Sequence, residues 1–480
     1  MGKTNFSENN KVKVLFSDTL AFTISNFASK ILVFLLLPLY TAVLSTKEYG
    51  IADLITNTIN VLYPILTLSI MEATLRFAFE KNINKNEVLT NSLFIVFLSE
   101  AFILLITPIV NIFNNKISDY WLWFAIIYFG FNLQQVLSQY LKGIGKSKIF
   151  AVSGVVQTAV VLTSNIICLL LLKIGLTGYL LSIALGYYLN CFYMIFAGKI
   201  RIAKISINIG LLKKMLNFSI PTIPVIISWW ISTSADKYII IAFNGIAASG
   251  IYSVAYKIPS ILTMFTSIFN SAWTLSAIRN IDDEDNAVFH TKIYRYFNAV
   301  NVLACSVLIL SSKWLAKILF SKQFFEAWHY VPFLLIAYVF SGLAGFLASS
   351  FRAAKSTKDL FVSTSIGSAV NIILNFYFIK NFGNMGAAFT TLLGFAVTFY
   401  IRSYNIKKII SIKINVFKDS LIYLLLFFEA CLIAFEFKYG ICISVMITLM
   451  FVICFINEIK QLFIKFFKFL KTTLKIGDRK

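Results

Sequence analysis

Apolar runs recur along the whole chain, separated by short polar stretches rich in lysine and arginine. A helix needs about 20 apolar residues to cross a bilayer. Applied along the sequence, this rule predicts about fourteen spans. They fall near 18–44, 51–74, 88–113, 119–141, 149–172, 176–198, 216–242, 247–275, 294–312, 327–349, 360–380, 385–402, 418–437 and 439–457. The last two are parted only by EFKYG at 436–440. The expected fold class is an all-α membrane protein.

The pattern repeats. Residues 140–178 and 350–386 each read as a basic loop, then an apolar helix with an asparagine past its middle (Asn165, Asn375). A GxxG then enters the next helix, Gly175/Gly178 in one copy and Gly383/Gly386 in the other. Phe16-Ser17 matches Phe218-Ser219, and YGIADL at 49–54 matches SGIYSV at 249–254. The offset spans an even number of helices, so the two halves run parallel, related by an axis along the membrane normal. The expected organisation is a cytoplasmic tail (1–15), an N-terminal six-helix bundle (16–205), a C-terminal six-helix bundle (206–411), an additional helix pair (412–457) and a basic amphipathic cytoplasmic tail (458–480).

Composition agrees. The 480 residues are 59% hydrophobic and 13% charged, against about 45–50% and 25% in soluble domains. The net charge of +22 lies mostly in short loops. It reads as topology signal and contact with anionic lipid rather than nucleic-acid binding. With the N-terminus inside, the inner segments carry most of the 43 Lys and Arg, which places both termini in the cytoplasm. The EIKQLFIKFFKFLKTTLK stretch at the C-terminal end is expected to lie on the inner leaflet. Six cysteines sit inside apolar runs without a CxxC, and the two histidines form no HExxH. Neither a disulfide nor a metal centre is expected.

The candidate chemistry is a small set of charges within or beside the spans. Lys30 lies in the first helix; it either faces a polar cavity that receives an anion, or snorkels, or pairs with Asp53 or Glu72. Glu72 and Arg76 are four apart, a structural pair or an anion-binding arginine at the cytoplasmic mouth. Glu100 reads as a helix–helix hydrogen-bonding or proton-linked group. Pro221 and Pro224 bend or break the seventh helix. Asp236-Lys237 follows in that helix, and Lys257 with Pro259 lies in the eighth. Basic residues at matching places in both halves could line one cavity, and arginine and lysine are the usual phosphate ligands. Glu429 and Glu436 are placed in helix 13 as packing or proton-linked carboxylates. Trp121, Trp123, Trp314 and Trp328 fit an interfacial belt, and DDED at 282–285 reads as a solvated loop.

At KEYGIADLI (47–55), Arg76-Phe77, SADKYII (234–240), SGIYSVAYKI (249–258) and the YLKGIGKSK loop (140–148), the chain resembles the polysaccharide flippases. These translocate O-antigen and capsule repeat units, within the multidrug/oligosaccharidyl-lipid/polysaccharide exporter superfamily. The resemblance implies two six-helix bundles around a cationic cavity. It implies an undecaprenyl-diphosphate-linked oligosaccharide moved from the inner to the outer leaflet of the bacterial plasma membrane, without bond-making chemistry or a cofactor. Arg76, Asp236, Lys237 and Lys257 fall on family-like positions, whereas Lys30 rests on its place in the membrane. Asp53, Glu100 or Asp236 would couple the cycle to a proton or sodium gradient. Anionic membrane lipids and polysaccharide polymerase machinery are the expected partners. The rivals are a multidrug or toxin cation exporter of the same superfamily, which would need acidic cavity residues, and a membrane polysaccharide polymerase.

Overall fold

The computed structural model describes residue 34, residues 36–462 apart from 81, 113–117, 201–206, 280–285, 355 and 411, and residue 464. Lys30, the N-terminal tail, the C-terminal tail beyond its first residues (458–462 and 464) and the DDED loop therefore lie outside the described residues. All regular structure among the described residues is helical. The chain divides into two compact units, residues 1–230 and 231–480.

In the first unit α1 (Leu37–Val43) leads into α2 (Thr46–Leu66) and α3 (Ile70–Phe79). A capping box starts α2. The Ser45 hydroxyl accepts from the Glu48 amide at 3.2 Å, and the Glu48 carboxylate accepts from the Ser45 amide at 2.8 Å. This satisfies two helix-end donors that would otherwise be orphaned. Then follow α4 (Lys85–Ile112), α5 (Trp121–Gly143), α6 (Ser147–Asn165), α7 (Gly175–Ala197) and α8 (Ile209–Ser219). One core cluster joins Ile70, Val96, Val136, Met194 and Met215. The other joins Ile59, Tyr128, Leu180 and Ala184.

The division falls inside α9 (Ile223–Asn244). The second unit continues with α10 (Ile246–Ala255), α11 (Lys257–Arg279), α12 (Asn286–Leu319), α13 (Val331–Ala353), α14 (Thr357–Asn405), α15 (Val416–Ala434) and α16 (Gly440–Cys454). Its core is α13, whose apolar residues are buried nearly all round. Trp273 and Phe346 stack at 4.8 Å between ring centroids, and Phe340 meets Tyr423 at 4.9 Å. The additional pair α15–α16 is a hairpin packed into this unit. Tyr423 donates to Asn298 at 2.9 Å and Tyr294 donates to Asp419 at 2.8 Å.

Among the described residues, 7 helices are long and apolar enough to cross a membrane, or up to 9 if each bent pair counts as one span. The helices do not map one to one onto the expected segments, for physical reasons. The first expected segment lies largely outside the described residues. The second is broken: α2 and α3 meet at 61°, with Leu68 and Ser69 at φ 52° and 51°. The eighth is interrupted at Tyr256, between α10 and α11. Segments eleven and twelve run through α14, kinked at Gly383. At 221–224, PTIP does break the helix. A 3₁₀ turn, Ile220–Thr222, separates α8 from α9.

Four expectations are corrected. Trp328 is buried at 1% exposure, not part of a lipid-facing belt; Trp314 is exposed. Glu436 lies not in a helix but in the turn after α15, at φ 53°, with its carboxylate 2.6 Å from the Lys313 ammonium. Arg402, which sequence position groups with the basic residues of the short inner loop at 402–418, instead lies in the buried part of α14. Glu72 and Arg76 do not pair: Arg76 is exposed and meets Glu80 at 3.7 Å.

The repeat is visible in backbone geometry. Gly175 and Gly383 hold φ 54° and 56°, each at the start of the second helix of its copy. Three residues on, Gly178 and Gly386 have no room for a side chain. A Cβ would sit 2.9 Å from the Cys168 Cβ in one and 2.2 Å from the Phe378 carbonyl in the other. Asn165 and Asn375 are both fully buried. At Gly383, ψ of −137° puts the backbone in a region that only glycine adopts without strain, while the space around it is open to 3.7 Å. Gly383→Ala is therefore expected to destabilise by about 1–3 kcal/mol through the backbone alone, read as a lower thermal unfolding midpoint of the detergent-solubilised protein.

Candidate functional site

The best-defined polar site in the second unit forms where α9, α10 and α14 meet. Two turns before the end of α9, Asp236 is 3% exposed. Its Oδ2 accepts from the Tyr252 hydroxyl at 2.8 Å and the Tyr256 hydroxyl at 2.9 Å, with the Thr391 hydroxyl at 3.4 Å. Its Oδ1 accepts from the Lys237 amide at 2.9 Å. Its hydrogen-bond shell is made of neutral donors, and the nearby charge that acts on it is the Lys237 ammonium. The Lys237 ammonium lies 5.7 Å from the Tyr256 ring centroid, in cation–π range.

The local sequence explains the arrangement. Tyr252 and Tyr256 are four apart and so share one helical face; their rings meet edge to face at 5.0 Å. Gly245 at φ 86° makes the turn from α9 into α10. Tyr256 ends α10, and Lys257 opens α11. Pro259 sits in the first turn of α11, where its missing N–H costs no helical hydrogen bond. Lys257 is half-buried, with no side-chain partner among the described residues.

A short polar row continues along α14. Asn375 donates to Asn371 at 3.2 Å, and the Thr390 hydroxyl donates to Asn375. Elsewhere in the unit, Arg402 donates to the Ala344 carbonyl at 2.8 Å, Ser363 at 3.0 Å and Thr364 at 2.7 Å. Glu429 accepts from Ser306 at 3.0 Å. Both of these groups are buried. Among the described residues no cluster of His, Cys, Asp and Glu could hold a metal ion.

The structure thus brings Asp236, Lys237 and Lys257 to one junction. In the first unit, Asp53 is half-buried in α2 and accepts from Asn57 at 2.8 Å. Glu100 is half-buried in α4, with one carboxylate oxygen enclosed and unpartnered among the described residues. Arg76 lies in the last turn of α3, about two turns beyond the broken backbone at 67–69. The Leu68 carbonyl freed there accepts from the Ser219 hydroxyl at 2.7 Å. Sequence reasoning missed Tyr252, Tyr256 and Thr391. The i,i+4 tyrosines beside Lys257 were a usable signal; Thr391 lies 155 residues from Asp236 and had none.

The profile of a family described as "Polysaccharide biosynthesis protein" matches residues 15–274. By sequence, no curated protein matches the chain. Among solved structures, the lipid II flippase MurJ, in an inward closed conformation, is similar at TM-score 0.69 and 17% identity, covering 92% of this chain and 100% of that one. An inward-facing multidrug resistance MATE family transporter of the MOP superfamily is similar at TM-score 0.68 and 12% identity, covering 79% and 95%. A MOP superfamily transporter from Pyrococcus furiosus, described as having a binding pocket of reversed polarity, is similar at TM-score 0.59 and 14% identity, covering 82% and 95%. At these identities the likeness is one of fold.

Each tyrosine hydroxyl on Asp236 is a hydrogen bond to a charged acceptor, worth about 1.5–3 kcal/mol. Tyr252→Phe and Tyr256→Phe should each destabilise the protein by an amount in that range, read as a lower thermal unfolding midpoint. Thr391→Val, removing the longer contact, should cost less; a thermal denaturation series ranks the three.

Proposed function

The chain belongs to the polysaccharide biosynthesis protein family, and on that footing we propose that it flips an undecaprenyl-diphosphate-linked oligosaccharide from the inner to the outer leaflet of the bacterial plasma membrane. The observation that carries this reading is Lys257: a lysine half-buried at a helix break, with no anion beside it among the described residues. An ammonium in a membrane-spanning unit costs a few kcal/mol and usually marks a path or a ligand. A diphosphate is the ligand its charge suits.

In this reading Lys30, Arg76, Lys237 and Lys257 hold the diphosphate while the polyprenyl tail stays in lipid. The two repeats exchange access by rocking, as parallel-repeat transporters do. Asp236 is the group that couples the cycle to a proton or sodium gradient. Its neutral hydroxyl shell leaves a negative charge that a proton or sodium ion can neutralise in one state and leave in the other. The donor set of carboxylate and hydroxyl oxygens is a hard one, suited to either. Asp53 and Glu100 are the alternatives in the first unit.

A second reading, a multidrug or toxin cation exporter, is favoured by the same buried carboxylates, Asp236 and Glu100, which could receive a cationic cargo. A membrane polysaccharide polymerase is the third. The experiment is complementation of a strain lacking the protein. Lys257→Gln should leave completed lipid-linked units on the inner face and reduce surface polysaccharide at least about 10-fold, the loss of one charge-assisted contact, while Lys257→Arg retains export. Full export by Lys257→Gln, with altered drug susceptibility in Asp236→Asn, would move the assignment to the second reading. In proteoliposomes, Asp236→Asn should remove the gradient dependence of flipping without lowering the amount of folded protein.

A further inference from the structure

At one end of the second unit a cavity of about 380 Å³ opens between three segments: the first turns of α12, the strand of chain before α15, and the helix that follows α16. Its walls carry Lys292, Arg295 and Lys413, with Glu458 as the one acidic lining residue. None of the three cations has an ion pair among the described residues. Asp419, which accepts from the Tyr294 hydroxyl at 2.8 Å, also attracts Arg295, so Lys292 and Lys413 are the cations with no acid acting on them among the described residues. The walls are tied together: the Lys413 amide donates to the Thr291 hydroxyl at 3.0 Å, and the Tyr296 hydroxyl donates to Gln461.

The depth of the cavity follows from the length of α12. Its 34 residues extend about 50 Å, against about 30 Å of hydrocarbon. The far end carries the Lys313–Glu436 bridge beside the α15–α16 turn. The first two or three turns, which line the cavity, therefore project into the headgroup layer. The flanking lysines Lys407, Lys408, Lys418 and Lys460 mark this end as the inner one by the positive-inside rule. The chain after α16 turns by 65° at this level, which closes one wall.

We propose that this cavity binds the phosphate ester of an anionic lipid in the inner leaflet. Three cations around a pocket of small-ligand size select a phosphate with its oxygens facing inward. The open side lets the acyl chains stay in the bilayer. The site would fasten the additional helix pair to the leaflet from which cargo is taken, and it stands independently of the transport reading above.

The test uses the full chain in phosphatidylcholine nanodiscs doped with phosphatidylglycerol, and native mass spectrometry to count retained phosphatidylglycerol. The variant K292Q/R295Q/K413Q should retain it at least about 10-fold more weakly, given about 1 kcal/mol per basic residue at an anionic surface. The charge-matched K199Q/K213Q/K214Q variant should behave as the wild type. Equal loss in both variants would overturn the pocket in favour of diffuse attraction, and so would unchanged retention in the first. Displacement of the lipid by millimolar inorganic phosphate would overturn the lipid as occupant. Thermal unfolding in neutral detergent checks that each variant folds. If the triple variant does not, Lys413→Gln, an exposed change outside any helix, is read in its place with an expected loss of about 5-fold.

Discussion

Inside a bilayer there is no water to solvate a charge, so whatever answers it must come from the protein. In the second unit this requirement falls on three side chains: Asp236, Arg402 and Glu429. Arg402 and Glu429 have no opposite charge beside them among the described residues, whereas Asp236 draws on the neighbouring Lys237 as well as on neutral donors. Asp236 collects hydroxyls and an amide, Arg402 collects two hydroxyls and a carbonyl, and Glu429 takes the Ser306 hydroxyl. An ion pair would cancel its own charge and hold two helices in one geometry. Neutral donors instead leave the charge in place and tie together several helices. The Asp236 shell draws α9, α10 and α14 to one point, and the Arg402 guanidinium fastens α14 to α13. Much of the second unit's polar packing follows from these two groups.

The same rule governs the backbone. A carbonyl or amide released by a helix break must be taken up nearby. The Ser219 hydroxyl takes the Leu68 carbonyl at the break between α2 and α3. Such breaks adjoin the charged residues of interest. Arg76 follows the break at 67–69, and Lys257 follows the interruption at Tyr256. Discontinuous helices near binding groups are a recurrent device of transporters, because the exposed backbone lines a polar path. Leu68 and Ser69 hold a left-handed conformation unfavourable for non-glycine residues. A position that keeps such strain twice in succession is fixed by its surroundings.

What the sequence made legible was periodicity. The apolar runs depend on local composition, and the structure has apolar helices of spanning length, though 7 to 9 among the described residues rather than the fourteen segments. The GxxG pairs were visible as pattern, and their reason emerges in three dimensions: a left-handed first glycine and a crowded second one. Pairing was not legible. Glu72 and Arg76 have favourable helical spacing, yet Arg76 turns outward to Glu80. Arg402 looked like one of a cluster of loop bases, but α14 extends past it and buries it. Trp328 looked interfacial, but lies in a 3₁₀ segment folded onto the core. Arg402 and Trp328 share one cause, partners distant in sequence, whereas Arg76 had two acids at the same i,i+4 spacing, Glu72 and Glu80, and spacing alone does not choose between them.

The distribution of unneutralised charge bears on what such a fold can carry. The described residues offer two kinds of site in the second unit. One is a carboxylate wrapped in hydroxyls; the other is a lysine at a helix break with nothing opposite it. A cation exporter needs only the first, since its cargo and its coupling ion compete for the same negative charge. A carrier of a lipid diphosphate needs both: a cation for the cargo and a separate acid for the coupling ion. Asp236 and Lys257 are separated by one helix and joined through Tyr256, whose hydroxyl meets the carboxylate while its backbone adjoins the lysine. Neutralising Asp236 would weaken the hold on Tyr256 and so alter the helix start that positions Lys257. Under the proposed function, an ion bound at the acid would change the setting of the base without touching the cargo, which is the coupling that an anion carrier driven by a cation gradient requires.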